Sequence, residues 1–286
     1  MKKRHVIEII PASRTSDGDG VKIKRIVGRH GMIDLDPFLL LDEIKSDESK
    51  DYIGGFPPHP HRGFETITYI KNGSFRHNDH LGNEGSINSG GAQWMTAGSG
   101  VIHSEIPEQE HGSLHGFQIW LNLPAKDKMQ KASYRNIQAE QMPNIVVDSD
   151  IAIKLLAGDL YLEGKTYQGP IRGQATKPIY GDITLPEGKK VRLPLDEAYN
   201  GYIYLYEGTL TIENKDISAR SLVRLSKGDE VTIMADMNAR FLLLAGIPID
   251  EPIANYGPFV MNTREEIDRA VQEYQDGTLT DEMHVI

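Results

Sequence analysis

The 286-residue sequence contains no cysteine, which excludes disulfides, thiolate nucleophiles and Cys-ligated zinc or iron–sulfur centres. It has no apolar run near the roughly 18 residues that a membrane-spanning helix needs. The opening MKKRHVIEII is basic, but its apolar stretch is short and interrupted by Glu8, with no small-residue cleavage site. No signal peptide is expected, and the expected location is cytoplasmic. Basic charge is scarce: 31 Lys and Arg stand against 41 Asp and Glu, a net charge of −10. That disfavours direct binding to nucleic acid or to an anionic membrane, since both select a basic surface. Histidine is absent between His115 and His284, so nearly all the imidazole lies in the first half.

What is present reads as a folded, mostly β chain. Hydrophobic residues make up 39% and charged residues 25%, within the range of globular proteins. The length suggests two domains. Short β-branched and aromatic runs recur, among them Thr66 to Ile70, Val21 to Val27, Leu114 to Leu123, Ile151 to Ala157, Tyr202 to Tyr206 and Phe241 to Leu244. Gly and Pro punctuate them, which indicates a sandwich or barrel. Asn72-Gly73 between two such runs is a hairpin signal. The segment from Ile67 to Phe75 is echoed by Ile203 to Leu210, each a strand, a glycine turn and a second strand, so two related halves are expected. One helix is expected near the end. Thr263 and Glu266 form a capping box, Ile267, Ala270, Val271 and Tyr274 recur at helical spacing, and Gly277 suits the left-handed C-terminal position.

Two segments carry chemistry. In Gly55-Phe56-Pro57-Pro58-His59-Pro60-His61-Arg62-Gly63-Phe64-Glu65, the prolines hold the chain extended, and alternation puts His59 and His61 on one face. In Gly100-Val101-Ile102-His103-Ser104-Glu105, His103 and Glu105 again share parity. Three imidazoles and one carboxylate suit a borderline divalent metal such as Fe(II), Mn, Co, Ni, Cu or Zn. Glu65 has the same parity as His59 and His61, so spacing alone leaves it as a rival to Glu105. His77 and His80 sit in a polar stretch with Asn78 and Asp79 and are expected in a solvated loop, with a place near a pocket mouth as the alternative. His115 is expected as a structural histidine, and Trp94 and Trp120 as core or pocket wall.

At these motifs the sequence resembles the pirin family of two-domain cupins. The resemblance also covers Gln93 to Gly98, Gln118 to Pro124 and Gly257 to Thr263. It implies an all-β fold of two tandem cupin barrels with a short C-terminal α-helix. The expected division is an N-terminal metal-binding cupin over 1–130, a linker over 131–145, a C-terminal cupin over 146–256 and a closing segment over 257–286. The resemblance implies one metal, first of all Fe(II), with Ni, Co, Mn, Cu or Zn as alternatives. Its ligands by position are His59, His61, His103 and Glu105, which settles the carboxylate in favour of Glu105. It implies a quercetin 2,3-dioxygenase-like activity, with a flavonol and O2 as substrates and Glu105 as ligand and general base. The alternative it carries is a non-catalytic, redox-sensitive iron protein that binds a transcription factor or a metabolic enzyme. With no histidine, the C-terminal cupin is expected to be structural.

Overall fold

The computed structural model describes residues 2–28, 31–148 and 150–280, and His30 and His284 lie outside them. The chain divides into two compact units. One comprises residues 1–12 and 140–248, the other 13–139 and 249–286.

The second of these carries the histidines. Its seven-stranded antiparallel sheet runs, edge to edge, Ser133–Ile137, Ala92–Thr96, Phe64–Asn72, Leu114–Asn122, Phe38–Ser46, Val21–Ile26 and Ser13–Asp17. A four-stranded sheet runs Phe56–His61, Val101–Pro107, Ser74–Asp79 and Glu84–Asn88. A shared core of Val21, Ile23, Ile44, Ile70, Phe75, Ile87 and Leu114 draws on both sheets, as expected of a sandwich whose inward positions are alternately apolar. The closing segment adds the pair Ala254–Tyr256 and Phe259–Met261 and the helix Arg264–Gln275. Thr263 accepts from the backbone N–H of Glu266, and the Glu266 carboxylate accepts from that of Thr263. Gly277 is left-handed at φ 72°. Ile267 and Ala270 bury against Phe259, Met261 and Leu279.

The other unit repeats this plan. Its seven-stranded sheet runs Val6–Pro11, Ser221–Leu225, Asn200–Glu207, Ala239–Gly246, Ile179–Leu185, Ile151–Ala157 and Asn144–Val147. Its four-stranded sheet runs Lys190–Pro194, Glu230–Ala235, Thr209–Ile212 and Lys215–Ser218.

Three sequence expectations differ from this picture. Val6–Pro11 pairs with Ser221–Leu225, so the first residues join the later barrel, not the 1–130 unit. The stretch expected as a 131–145 linker instead forms the strand Ser133–Ile137, paired with Ala92–Thr96, and begins the strand Asn144–Val147. Asn72-Gly73 does not close a hairpin. Phe64–Asn72 belongs to the large sheet and Ser74–Asp79 to the small one, so Gly73, at φ 99°, turns a corner between sheets. Gly208, at φ 85°, makes the same corner in the other unit, so the internal echo is a pair of corners.

Candidate metal centre

Phe56–His61 is the edge strand of the small sheet, where the missing N–H groups of Pro57, Pro58 and Pro60 need no ladder partner. Its neighbour Val101–Pro107 sets His103 opposite His59 and Val101 opposite His61. One ligand atom from each of His59, His61 and His103 lies within 4.8 Å of the other two, a group that can hold a metal ion. The ring centroids are 4.5 Å apart for His59 and His103, 4.7 Å for His59 and His61, and 4.9 Å for His61 and His103.

The ring nitrogens show which atoms are available. His59 Nδ1 is 2.8 Å from the Pro57 carbonyl oxygen. A carbonyl only accepts, so Nδ1 donates to it and Nε2 is the ring atom left for another partner. His61 Nδ1 and His103 Nε2 are buried with no hydrogen-bond partner. A buried polar atom left unpaired costs about 1–3 kcal/mol, so two in one cluster point to a cation as their natural partner. Burial, then the neighbouring imidazoles, holds His61 and His103 well below the usual histidine pKa. They are therefore neutral, the form that ligates a metal.

The carboxylates are placed differently. Glu105, 2% exposed, accepts from Thr68 Oγ1 at 2.8 Å and from Gln118 Nε2 at 2.7 Å. It stands outside the three-histidine group, and the pairing with Phe56–His61 shifts register between His103 and Glu105. Glu65 is buried on the large sheet, opposite Thr96, whose hydroxyl donates to it at 2.7 Å. Burial pushes its pKa up. It too lies outside the cluster.

Of the other histidines, His77 and His80 contradict the solvated-loop expectation. His77 is fully buried on Ser74–Asp79, with its Nδ1 3.3 Å from His103 Nδ1. His80 is 4% exposed and accepts from the backbone N–H of Ile102. The available signal was alternation: His77 shares parity with the apolar Phe75, and both point inward. His115 is buried 3.2 Å from Glu43 Oε1, away from the three-histidine group. Trp120 packs edge-on against His61, with centroids 5.4 Å apart, while Trp94 is buried.

A pocket of about 610 Å³ opens over His59 and His61. Phe56, Pro57, Pro58, Met32, Leu40 and Trp120 form its apolar walls, and Gln118, Arg25, Asp17 and Asp19 its polar ones. Arg25 is held by Asp42, at 2.6 and 2.8 Å, and by Asp17 at 2.6 Å.

A seven-stranded and a four-stranded antiparallel sheet in each unit, and three imidazoles gathered in one of the units, define a two-barrel cupin whose histidine cluster can take a metal. The comparisons narrow the class. The family described as Pirin matches residues 20–121, and the Pirin C-terminal cupin domain matches residues 180–280. A Pseudomonas aeruginosa relative, named "putative quercetin 2,3-dioxygenase", is 44% identical over 96% of this chain and 98% of its own length. Human pirin is 36% identical over 91% of this chain and 89% of its own. The crystal structure of a quercetin 2,3-dioxygenase from Acinetobacter baumannii superposes with a TM-score of 0.88 at 30% identity, covering 97% of this chain and 98% of that one. A bacterial pirin from Escherichia coli, solved in complex with nickel(II), shares the fold at a TM-score of 0.63 and 17% identity, over 84% and 98% of the two chains. This chain belongs to the pirin family. Among the described residues no helix is long and apolar enough to cross a membrane.

Proposed function

We propose that this chain is a metal-dependent dioxygenase that opens quercetin-type flavonols with O2, using Fe(II) first among the candidate metals. The observation that carries the reading is the convergence of three imidazoles, two of them with buried and unpartnered nitrogens, in a cluster of which His59 and His61 line a largely apolar pocket. The names of the close relatives support the same activity. In this reading His59, His61 and His103 hold the metal and Glu105 completes the set. When bound, the metal supplies a Lewis acid and a redox-capable centre for O2 chemistry.

The chain's own residues do the rest. Phe56, Leu40, Met32 and Trp120 offer flat apolar contact to a planar aromatic ligand. Asp17 and Asp19 offer acceptors to phenolic hydroxyls. Glu105 is the base: its carboxylate takes the flavonol hydroxyl proton when its bond from Gln118 is exchanged for one from substrate. Thr68 keeps the other oxygen in place.

The test is a flavonol assay after loading with Fe(II), Ni, Co, Mn, Cu or Zn, with and without O2. The expected result is loss of the quercetin absorbance that requires both oxygen and one of these metals. No oxygen-dependent loss with any metal would reject the activity.

A further inference from the structure

His103 is contacted from two sides. Its ring belongs to the three-histidine group, its Nε2 has no hydrogen-bond partner, and its Nδ1 meets His77 Nδ1 at 3.3 Å. A hydrogen bond between two imidazole nitrogens needs a donor on one ring and an acceptor on the other. If Nε2 presents its lone pair to a cation, the proton of His103 sits on Nδ1. His77 Nδ1 is then the acceptor, and the proton of His77 sits on its own Nε2. That atom has no hydrogen-bond partner but faces Asp79 Oδ2 at 3.9 Å, beyond hydrogen-bond length and within electrostatic reach.

The surroundings keep this order. His77 is fully buried, and Tyr134 stacks on its ring with centroids 5.3 Å apart and planes 19° apart, so the ring cannot swing to water. Asp79 Oδ1 accepts from the backbone N–H groups of Leu81 and Asn83 at 2.9 and 3.0 Å, and Oδ2 accepts from Asn83 Nδ2 at 2.8 Å. The carboxylate is thereby aimed at His77 by a turn that does not involve the cluster. Register explains the alignment: His77 stands opposite Glu105 and Asp79 opposite His103 on adjacent strands.

We propose that His77 is a positioning residue for the metal centre: it accepts the Nδ1 proton of His103 and so holds His103 in the tautomer that ligates through Nε2, with Asp79 fixing the proton of His77 in turn. This rests on the metal reading given above. Metal-bound histidines are oriented by the partner of their other nitrogen, and loss of such a partner typically costs 10–100-fold in metal affinity. Here the partner is a second imidazole between the ligand and a carboxylate.

The experiment compares wild type, His77→Asn and His77→Leu. Asn places Oδ1 close to where His77 Nδ1 lies and keeps the acceptor, whereas Leu removes it at similar volume. Zn(II) affinity is read by competition with a chelating dye, and the tautomers by long-range ¹H–¹⁵N correlation spectra of metal-free and Zn-loaded protein. The expected result is a 10–100-fold affinity loss in His77→Leu, largely recovered in His77→Asn. His103 should be Nδ1-protonated in wild type and His77→Asn but mixed in His77→Leu. Unchanged affinity in His77→Leu, or equal losses in both variants, would overturn the proposal. So would an Nε2-protonated His103 in the metal-free wild type. Wild type that binds no Zn(II) would sink the metal reading instead, and the metal-free spectrum would still decide the tautomer.

Discussion

Lys128 gives the sharpest energetic prediction. It is 1% exposed, and its Nζ donates to the Gly63 carbonyl at 2.7 Å, Asn122 Oδ1 at 2.6 Å and the Val260 carbonyl at 3.1 Å. It thus ties the residue two past His61 to the closing strand. Burial pushes its pKa down from 10.5 to about 8, against weaker attraction from Glu251 and Glu266. Below about pH 8 both folded and unfolded chains carry the proton, and the folded state bears the full cost of a buried charge. Between about 8 and 10.5 the folded state has lost the proton while the unfolded state keeps it. The unfolded state then binds more protons, so stability rises with pH across that window. The depression corresponds to a gain of about 3 kcal/mol, which is complete near pH 10.5. The comparison is between wild type and Lys128→Met, unfolded in urea from about pH 7 to about pH 10.5. The only two tryptophans, Trp94 and Trp120, both lie in the unit that contains Lys128, so their fluorescence reports that unit alone. With no cysteine in the chain, no thiol titrates in the window. Wild type should gain about 3 kcal/mol on the variant over the range. Parallel curves would refute the reasoning.

Three further outcomes are expected. His59→Ala and His103→Ala should each lose most of the bound metal while keeping the far-ultraviolet dichroism of wild type, and undiminished stoichiometry in both would refute the ligand assignment. Glu65→Gln should retain metal and Glu105→Gln should lose affinity, measured by metal content after dialysis; the reverse order would exchange the two carboxylates. Gly63→Ala should destabilise the histidine-bearing unit by at least about 2 kcal/mol in tryptophan-monitored urea unfolding, because its Cβ would fall 2.0 Å from the Val260 carbonyl at φ 89°.

The parts of the site that were legible in the sequence are those that depend on local alternation. Pro-spaced His59 and His61 had to share a face, and the capping box at Thr263 had to start a helix, whatever the rest of the chain did. His77 was missed because Asn72-Gly73 favours a two-residue hairpin, and a polar run past a hairpin tip belongs in solvent. The same glycine instead moves the chain to the other sheet, whose inward positions are Phe75, His77 and Asp79. The exchange of Val6–Pro11 into the later barrel was illegible for another reason. Its pairing with Ser221–Leu225 is a contact of more than 200 residues' separation, and nothing within six residues encodes it. The same holds for Arg62. It adjoins the histidine motif in sequence, yet it is buried with Nη1 2.6 Å from Glu273 on the helix and Nη2 3.1 Å from the Leu279 carbonyl.

Among the described residues, the small sheets of the two units differ in what their inward positions carry. Their small sheets have the same strand order, so Lys190–Pro194 stands where Phe56–His61 does, and Glu230–Ala235 where Val101–Pro107 does. The inward positions of the first pair are Val191, Leu193, Val231 and Ile233, all buried in a continuous aliphatic core. Those of the second include His61, His103 and Glu105. A barrel filled with hydrocarbon gains from every inward side chain, at about 25 cal/mol per Å² buried. A barrel that places three imidazoles and a carboxylate at those positions gives up that gain and must satisfy each polar atom separately. Thr68, Gln118 and the Pro57 carbonyl do so for Glu105 and His59. His61 Nδ1 and His103 Nε2 are left over. Arg62 and Lys128 then anchor the end of the histidine strand to the closing segment, outside the small sheet. The unit that carries the polar cluster is also the one that carries the helix and these buried cations, which is the reinforcement a less apolar core requires.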